Sequence, residues 1–69
     1  MVSETDVLTM IRENPSITIR EMTDICMGKN HARSTRNSIK MSIQKKCNSM
    51  EKYRIVMHEG EHPKKWKVV

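Results

Sequence analysis

Asn14-Pro15, followed closely by Thr18-Ile19-Arg20-Glu21, constrains this chain more than any other feature. The residue before a proline is pushed out of the α region, so a helix running into Asn14 ends there. Thr18 with Glu21 three residues on forms a capping box, so a new helix begins almost at once. Ile17, between the two signals, is expected in a short extended piece. Upstream, Ser3-Glu4-Thr5-Asp6 offers an N-cap with acids where the helix dipole favours them. Val7, Leu8 and Ile11 then make an apolar stripe at helical spacing, with Met10 at its edge. Downstream, Ile19, Met22, Ile25 and Cys26 share one face of the second helix, and Gly28 is the expected C′ residue that stops it.

A third and longest helix is expected from about Ala32 to Asn48. At 3.6 residues per turn, Ala32, Ile43, Lys46, Cys47 and Met50 fall within about 80° of Ile39. Only Lys46 breaks that apolar stripe, and its stem can snorkel. Arg33, Ser34, Asn37, Lys40, Met41, Gln44 and Asn48 take the opposite face, and Arg36 lies at the stripe's edge. The tail alternates as strands do: Tyr53, Ile55 and Met57 on one face, Arg54, Val56 and His58 on the other. Glu59-Gly60-Glu61-His62-Pro63 reads as a turn, and Lys64 to Val69 as a second strand.

Charge is distributed unevenly. Residues 1–24 carry a net −3, residues 25–50 hold no acid and carry +6, and the tail carries +2. A basic block on a helix is an electrostatic footprint for a polyanion, although a solvated lysine-rich face has the same composition. The chain has 69 residues, and its only Phe, Tyr or Trp side chains are Tyr53 and Trp66. A chain this short buries roughly 60% of its unfolded surface, which leaves no room for both a core and a deep pocket. The expectation is a single domain over 1–69 whose core is Ile, Val, Leu and Met.

Three helices, an extended piece and a C-terminal hairpin have the order of a small α+β winged helix-turn-helix domain. Asn14-Pro15-Ser16-Ile17-Thr18-Ile19-Arg20-Glu21-Met22 resembles the opening of many microbial winged-helix regulators, including DeoR-like domains. Tyr53-Arg54-Ile55-Val56 and Trp66-Lys67-Val68-Val69 resemble the two wing strands of that group. The chain departs from it in the long Gly28–Ser34 turn and in lacking a glycine after the third helix, where Asn48-Ser49 must serve. A narrower resemblance is to Z-alpha domains, winged helices that bind left-handed DNA. Asn37, Ile39, Ile43, Pro63 and Trp66 match parts of that pattern. Met41 stands where that family has a tyrosine, and one proline stands in place of two.

The resemblance implies a sequence-reading domain for double-stranded DNA, a transcriptional regulator, with the third helix in the major groove and the wing on the backbone. Arg33, Ser34 and Asn37 would then meet base edges, since Arg pairs with guanine and Asn with adenine. Arg36, Lys40 and Gln44 lie beside and beyond them. Met41 is placed to touch a thymine methyl or a sugar. Lys64, Lys65 and Lys67 flank the wing and could grip phosphates. The rival class is a winged-helix protein–protein interaction module. A homodimer or a larger parent protein stays open.

No enzyme is expected, because His31, His58, His62 and the carboxylates show no nucleophile–base spacing. Neither a cofactor nor a metal is expected. His58-Glu59-Gly60-Glu61-His62 reads as a solvated polar turn, and Cys26 and Cys47 are too few for a zinc site. Both cysteines are expected buried and unbonded, as in a cytoplasmic protein, nucleoid-associated if prokaryotic. No apolar run approaches the ~20 residues of a membrane span, and no leader is read at the start.

Overall fold

A computed structural model describes residues 2–29 and 36–69. Its elements are α1 (Glu4–Glu13), β1 (Ile17–Thr18), α2 (Ile19–Lys29), α3 (Arg36–Lys52), β2 (Val56–Glu59) and β3 (Lys65–Val68). They form a small α+β unit of three helices and a three-stranded antiparallel sheet in the order β1-β3-β2.

Local signals fix the first half. Ser3 caps α1, accepting from the Asp6 amide while Asp6 accepts from the Ser3 amide, both at 3.1 Å. Asn14 ends the helix, and its backbone and side-chain N–H groups both donate to the Met10 carbonyl. The second capping box forms at Thr18 and Glu21: the Glu21 amide donates to Thr18 Oγ1 at 3.1 Å, and the Thr18 amide to Glu21 Oε1 at 3.0 Å. Two orphan donors at the start of α2 are thereby satisfied.

Four expectations need correction. Gly28 does not end α2; it lies inside the helix, which reaches Lys29. The third helix does not stop at Asn48 but runs to Lys52, while its expected start at Ala32 lies outside the described residues. The stop signal is Arg54, in the left-handed region at φ 61°. Its amide donates to the Glu51 carbonyl at 3.0 Å, and the Ile55 amide to the Met50 carbonyl at 2.8 Å. This is a Schellman closure made without glycine. It takes up Tyr53 to Ile55, so the first hairpin strand starts at Val56 rather than Tyr53. The second strand is likewise shorter, Lys65–Val68.

In the hairpin, Val56 faces Val68, Met57 faces Lys67 and His58 faces Trp66. Val56 and Trp66 are buried, so the Val56/His58 face of β2 is the inner one. Gly60, at φ 78°, starts the loop between the strands, where an added Cβ would lie 3.2 Å from the Pro63 carbonyl. A pairing that the hydrophobic pattern does not announce completes the sheet: Ile17 pairs with Trp66 and Thr18 with Lys65. The core gathers Val7, Met10 and Ile11 from α1, Met22 from α2, and Ile39, Ile43, Cys47 and Met50 from α3, around Ile17, Val56 and Trp66. The expected α3 stripe is the buried one. Lys46, at its edge, is half-buried with Nζ donating to Ser42 Oγ at 3.0 Å.

Candidate functional site

Because Ile39, Ile43, Cys47 and Met50 anchor α3 in the core, the opposite side of the helix faces outward. Asn37, Lys40, Met41, Gln44 and Asn48 are all exposed. Lys40, Gln44 and Asn48, each one turn from the next, form one wall of a groove of about 350 Å³. The start of α2, residues 18–20, forms a second wall, and the hairpin loop from Glu61 to Lys64 a third. Trp66 lies at the base. Its side chain is fully buried, and Nε1 has no hydrogen-bond partner among the described residues.

The groove is cationic. Arg20, Lys40 and Lys64 line it from three separate elements, against one carboxylate, Glu61. No single segment supplies that charge. The β1–β3 pairing holds the start of α2 beside the hairpin, and the packing of α2 and β2 against α3 sets the α3 wall.

The other expected contact residues are distributed differently. Arg36 forms a 2.5 Å ion pair with Asp24 of α2, with both side chains about half exposed. Lys65 is exposed, while Lys67 is half-buried with its Nζ 2.5 Å from Glu59 Oε1. The Lys67 partner holds the Glu59 carboxyl below the usual carboxylate range. Lys65 and Lys67 alternate with Trp66 along β3, so both point away from the core face, and neither lines the groove. Arg33 and Ser34 lie outside the described residues.

Arg20 and Thr18 are not among the expected contact residues, and Pro63 enters the sequence reading only through the Z-alpha likeness and the turn. Arg20 sits in an acidic segment, and only the pairing of Ile17 with Trp66 brings it to the hairpin. Asn48 had a signal, since helical spacing already puts it on the outward face.

Cys26 and Cys47 are not joined by a disulfide. Cys47 is buried, and desolvation, helped by the Glu51 charge, pushes its thiol from the ordinary 9.0 up to about 12. Cys26 is half-buried rather than buried, a correction that follows from its place in the last part of α2, where Ile25 and Met27 are half-buried too, beyond the fully buried Met22 and Thr23. Among the described residues, no group of His, Cys, Asp and Glu is arranged to hold a metal ion. No described helix is long and apolar enough to cross a membrane.

Comparison of the chain with protein-family models, with curated proteins and with solved structures finds no match in any of the three.

Proposed function

We propose that the chain is a winged helix-turn-helix domain that binds double-stranded DNA and reads its sequence, as a transcriptional regulator does. The observation that supports this best is the groove, where Arg20, Lys40 and Lys64 converge beside the exposed amides of Gln44 and Asn48. A polyanion with hydrogen-bonding edges fits both features. The element order and the antiparallel hairpin beside α3 support a helix-turn-helix with a wing.

In this reading α3 enters the major groove and Asn37, in its first turn, meets base edges. Lys40, Gln44 and Met41 follow along the helix, with Arg33 and Ser34 ahead of it. Lys64 on the wing loop and Arg20 at the start of α2 hold phosphates on either side. Arg36, engaged by Asp24, steadies α2 against α3 rather than reading bases.

The test is a fluorescence anisotropy titration with duplex DNA at low and moderate salt, followed by selection from a random duplex library. Steep salt dependence and an enriched motif are expected. Asn37→Ala should then cost about 1–3 kcal/mol on the selected site and relax preference at one base pair. A left-handed duplex belongs among the competitors, given the Pro63 and Trp66 likeness to Z-alpha domains. No binding at low salt would overturn the reading.

One observation favours a second reading, a protein-interaction module. Tyr53, Ile55, Met57, Val68 and Val69 are exposed around β2 and the end of β3. Exposed apolar side chains along an edge strand and its flanks suit a protein partner better than a nucleic acid.

A further inference from the structure

His58 occupies a position that the DNA reading does not use. It projects from β2 toward the inner face, with 21% of its side chain exposed. Nδ1 contacts Glu51 Oε2 near the end of α3. Nε2 lies 4.0 Å from Glu61 Oε1 on the hairpin loop. The ring packs on Trp66, centroid to centroid 5.1 Å, with the planes tilted by 50°. One imidazole thus stands between the recognition helix, the loop that walls the groove and the residue at the groove's base.

We propose that protonation of His58 latches the hairpin loop to α3 and so controls the closure of the groove. Neutral imidazole has one N–H and one lone pair, so it can donate to only one of the two carboxylates. The closer contact, to Glu51, keeps the proton on Nδ1. Nε2 then presents a lone pair to the Glu61 carboxylate, and their attraction is lost. The imidazolium carries an N–H at both nitrogens and attracts both acids. Glu61 shares its loop with Lys64, which lines the groove, so releasing Glu61 frees that wall.

The groups that face the ring come from three elements. The carboxylates facing it are Glu51 from α3 and Glu61 from the loop. From β3 it meets Trp66, while the flanking Lys65 and Lys67 alternate to the opposite face, where Lys67 pairs with Glu59. From β1, the strand on the far side of β3, the inner side chain is the apolar Ile17. Within the pH range where imidazoles change charge, about 5.5 to 8, the latch closes as pH falls. Glu61 is exposed, so the bias is modest, about 1.5- to 5-fold between closed and open loop, and it weakens with salt.

The primary test does not depend on DNA binding. In the full chain labelled with ¹⁵N, the Gly60 and Glu61 amide shifts are followed from pH 5.5 to 8 alongside the His58 ring. They should track the ring in the parent. In Glu61→Gln, a change at an exposed site that leaves the fold intact by circular dichroism, they should become flat while the His58 contact with Glu51 is retained. Loop amides that ignore pH in the parent overturn the proposal, as do amides that titrate unchanged in Glu61→Gln. A second arm rests on the DNA reading. At fixed salt, the parent's affinity for duplex DNA should rise toward low pH more steeply than that of Glu61→Gln. His31 and His62 are present in both proteins, so the difference in pH dependence isolates the latch; equal pH dependence in the two would overturn the link between loop and groove. Absence of DNA binding would refute the functional reading while leaving the NMR result to decide the latch.

Discussion

Replacing Lys40 with Gln tests the cationic groove most directly. Lys40 is exposed on α3 and shares the groove with Arg20 and Lys64. Glutamine keeps nearly the same helix propensity and a hydrogen-bonding tip, so α3 should persist while one charge is lost. Each neutralised phosphate releases counterions, so three groove cations give a log–log salt slope of about −2.7. Losing one contact should flatten the measured slope by about 0.9, which corresponds to a drop in affinity of about 8-fold at 0.1 M salt and about 4-fold at 0.2 M. The assay is an anisotropy titration of labelled duplex across a salt series. Lys67→Gln is the control, because it removes the same formal charge from a side chain already paired with Glu59 and outside the groove. Its slope should stay within about 0.3 of the parent's. If the two variants flatten the slope equally, net charge rather than the groove governs binding. If Lys40→Gln leaves the slope unchanged, the groove is not the contact surface.

The remaining predictions concern the framework. Ile43→Ala, at a fully buried position, should cost about 2–5 kcal/mol in urea unfolding, enough to populate the unfolded state of a domain this small. Arg54→Gly should stabilise by about 1 kcal/mol, because glycine adopts the left-handed closure of α3 without a Cβ penalty; a loss of stability would contradict that account. Cys47 should resist alkylation at pH 8 until the chain is denatured, whereas half-buried Cys26 should react sooner; mass spectrometry of the modified peptides reads both. Since the folded-state thiol of Cys47 lies at about 12 against an ordinary 9.0, its contribution to stability is complete below pH 9.0 and is lost as pH rises toward 12. A thermal midpoint flat across that alkaline window would count against the buried thiol.

Much of the framework could be read from local chemistry. Proline, the two N-terminal caps and the apolar stripe of α3 act within a few residues, so α1, the start of α2 and the buried face of α3 follow from spacing alone. The misread boundaries share a cause: by propensity, glycine and asparagine are the helix stops. Gly28 stays inside α2, and arginine at position 54 makes the left-handed turn. No propensity points to Arg54, because the closing hydrogen bonds set its conformation at some cost in local energy. The groove is legible on its α3 side and, through Lys64, on its loop, but not at the start of α2. Charge counting favoured the basic middle of the chain, yet it could not say that Arg36 is engaged by Asp24 or Lys67 by Glu59. Nor could it bring Arg20 out of an acidic segment.

What joins these parts is the central strand. Trp66 pairs with Ile17 on one side and His58 on the other, and its ring lies beneath the groove. The Ile17 pairing holds the start of α2, and with it Arg20, against the hairpin. The His58 pairing sets the imidazole between Glu51 and Glu61. A one-residue slip of β3 would turn Trp66 outward, expose the inner face and separate Arg20 from Lys64. The same burial that fixes the fold therefore fixes the spacing of the groove's cations. Strand register, more than the total of basic residues, should decide whether Lys40 and Lys64 can engage one ligand together.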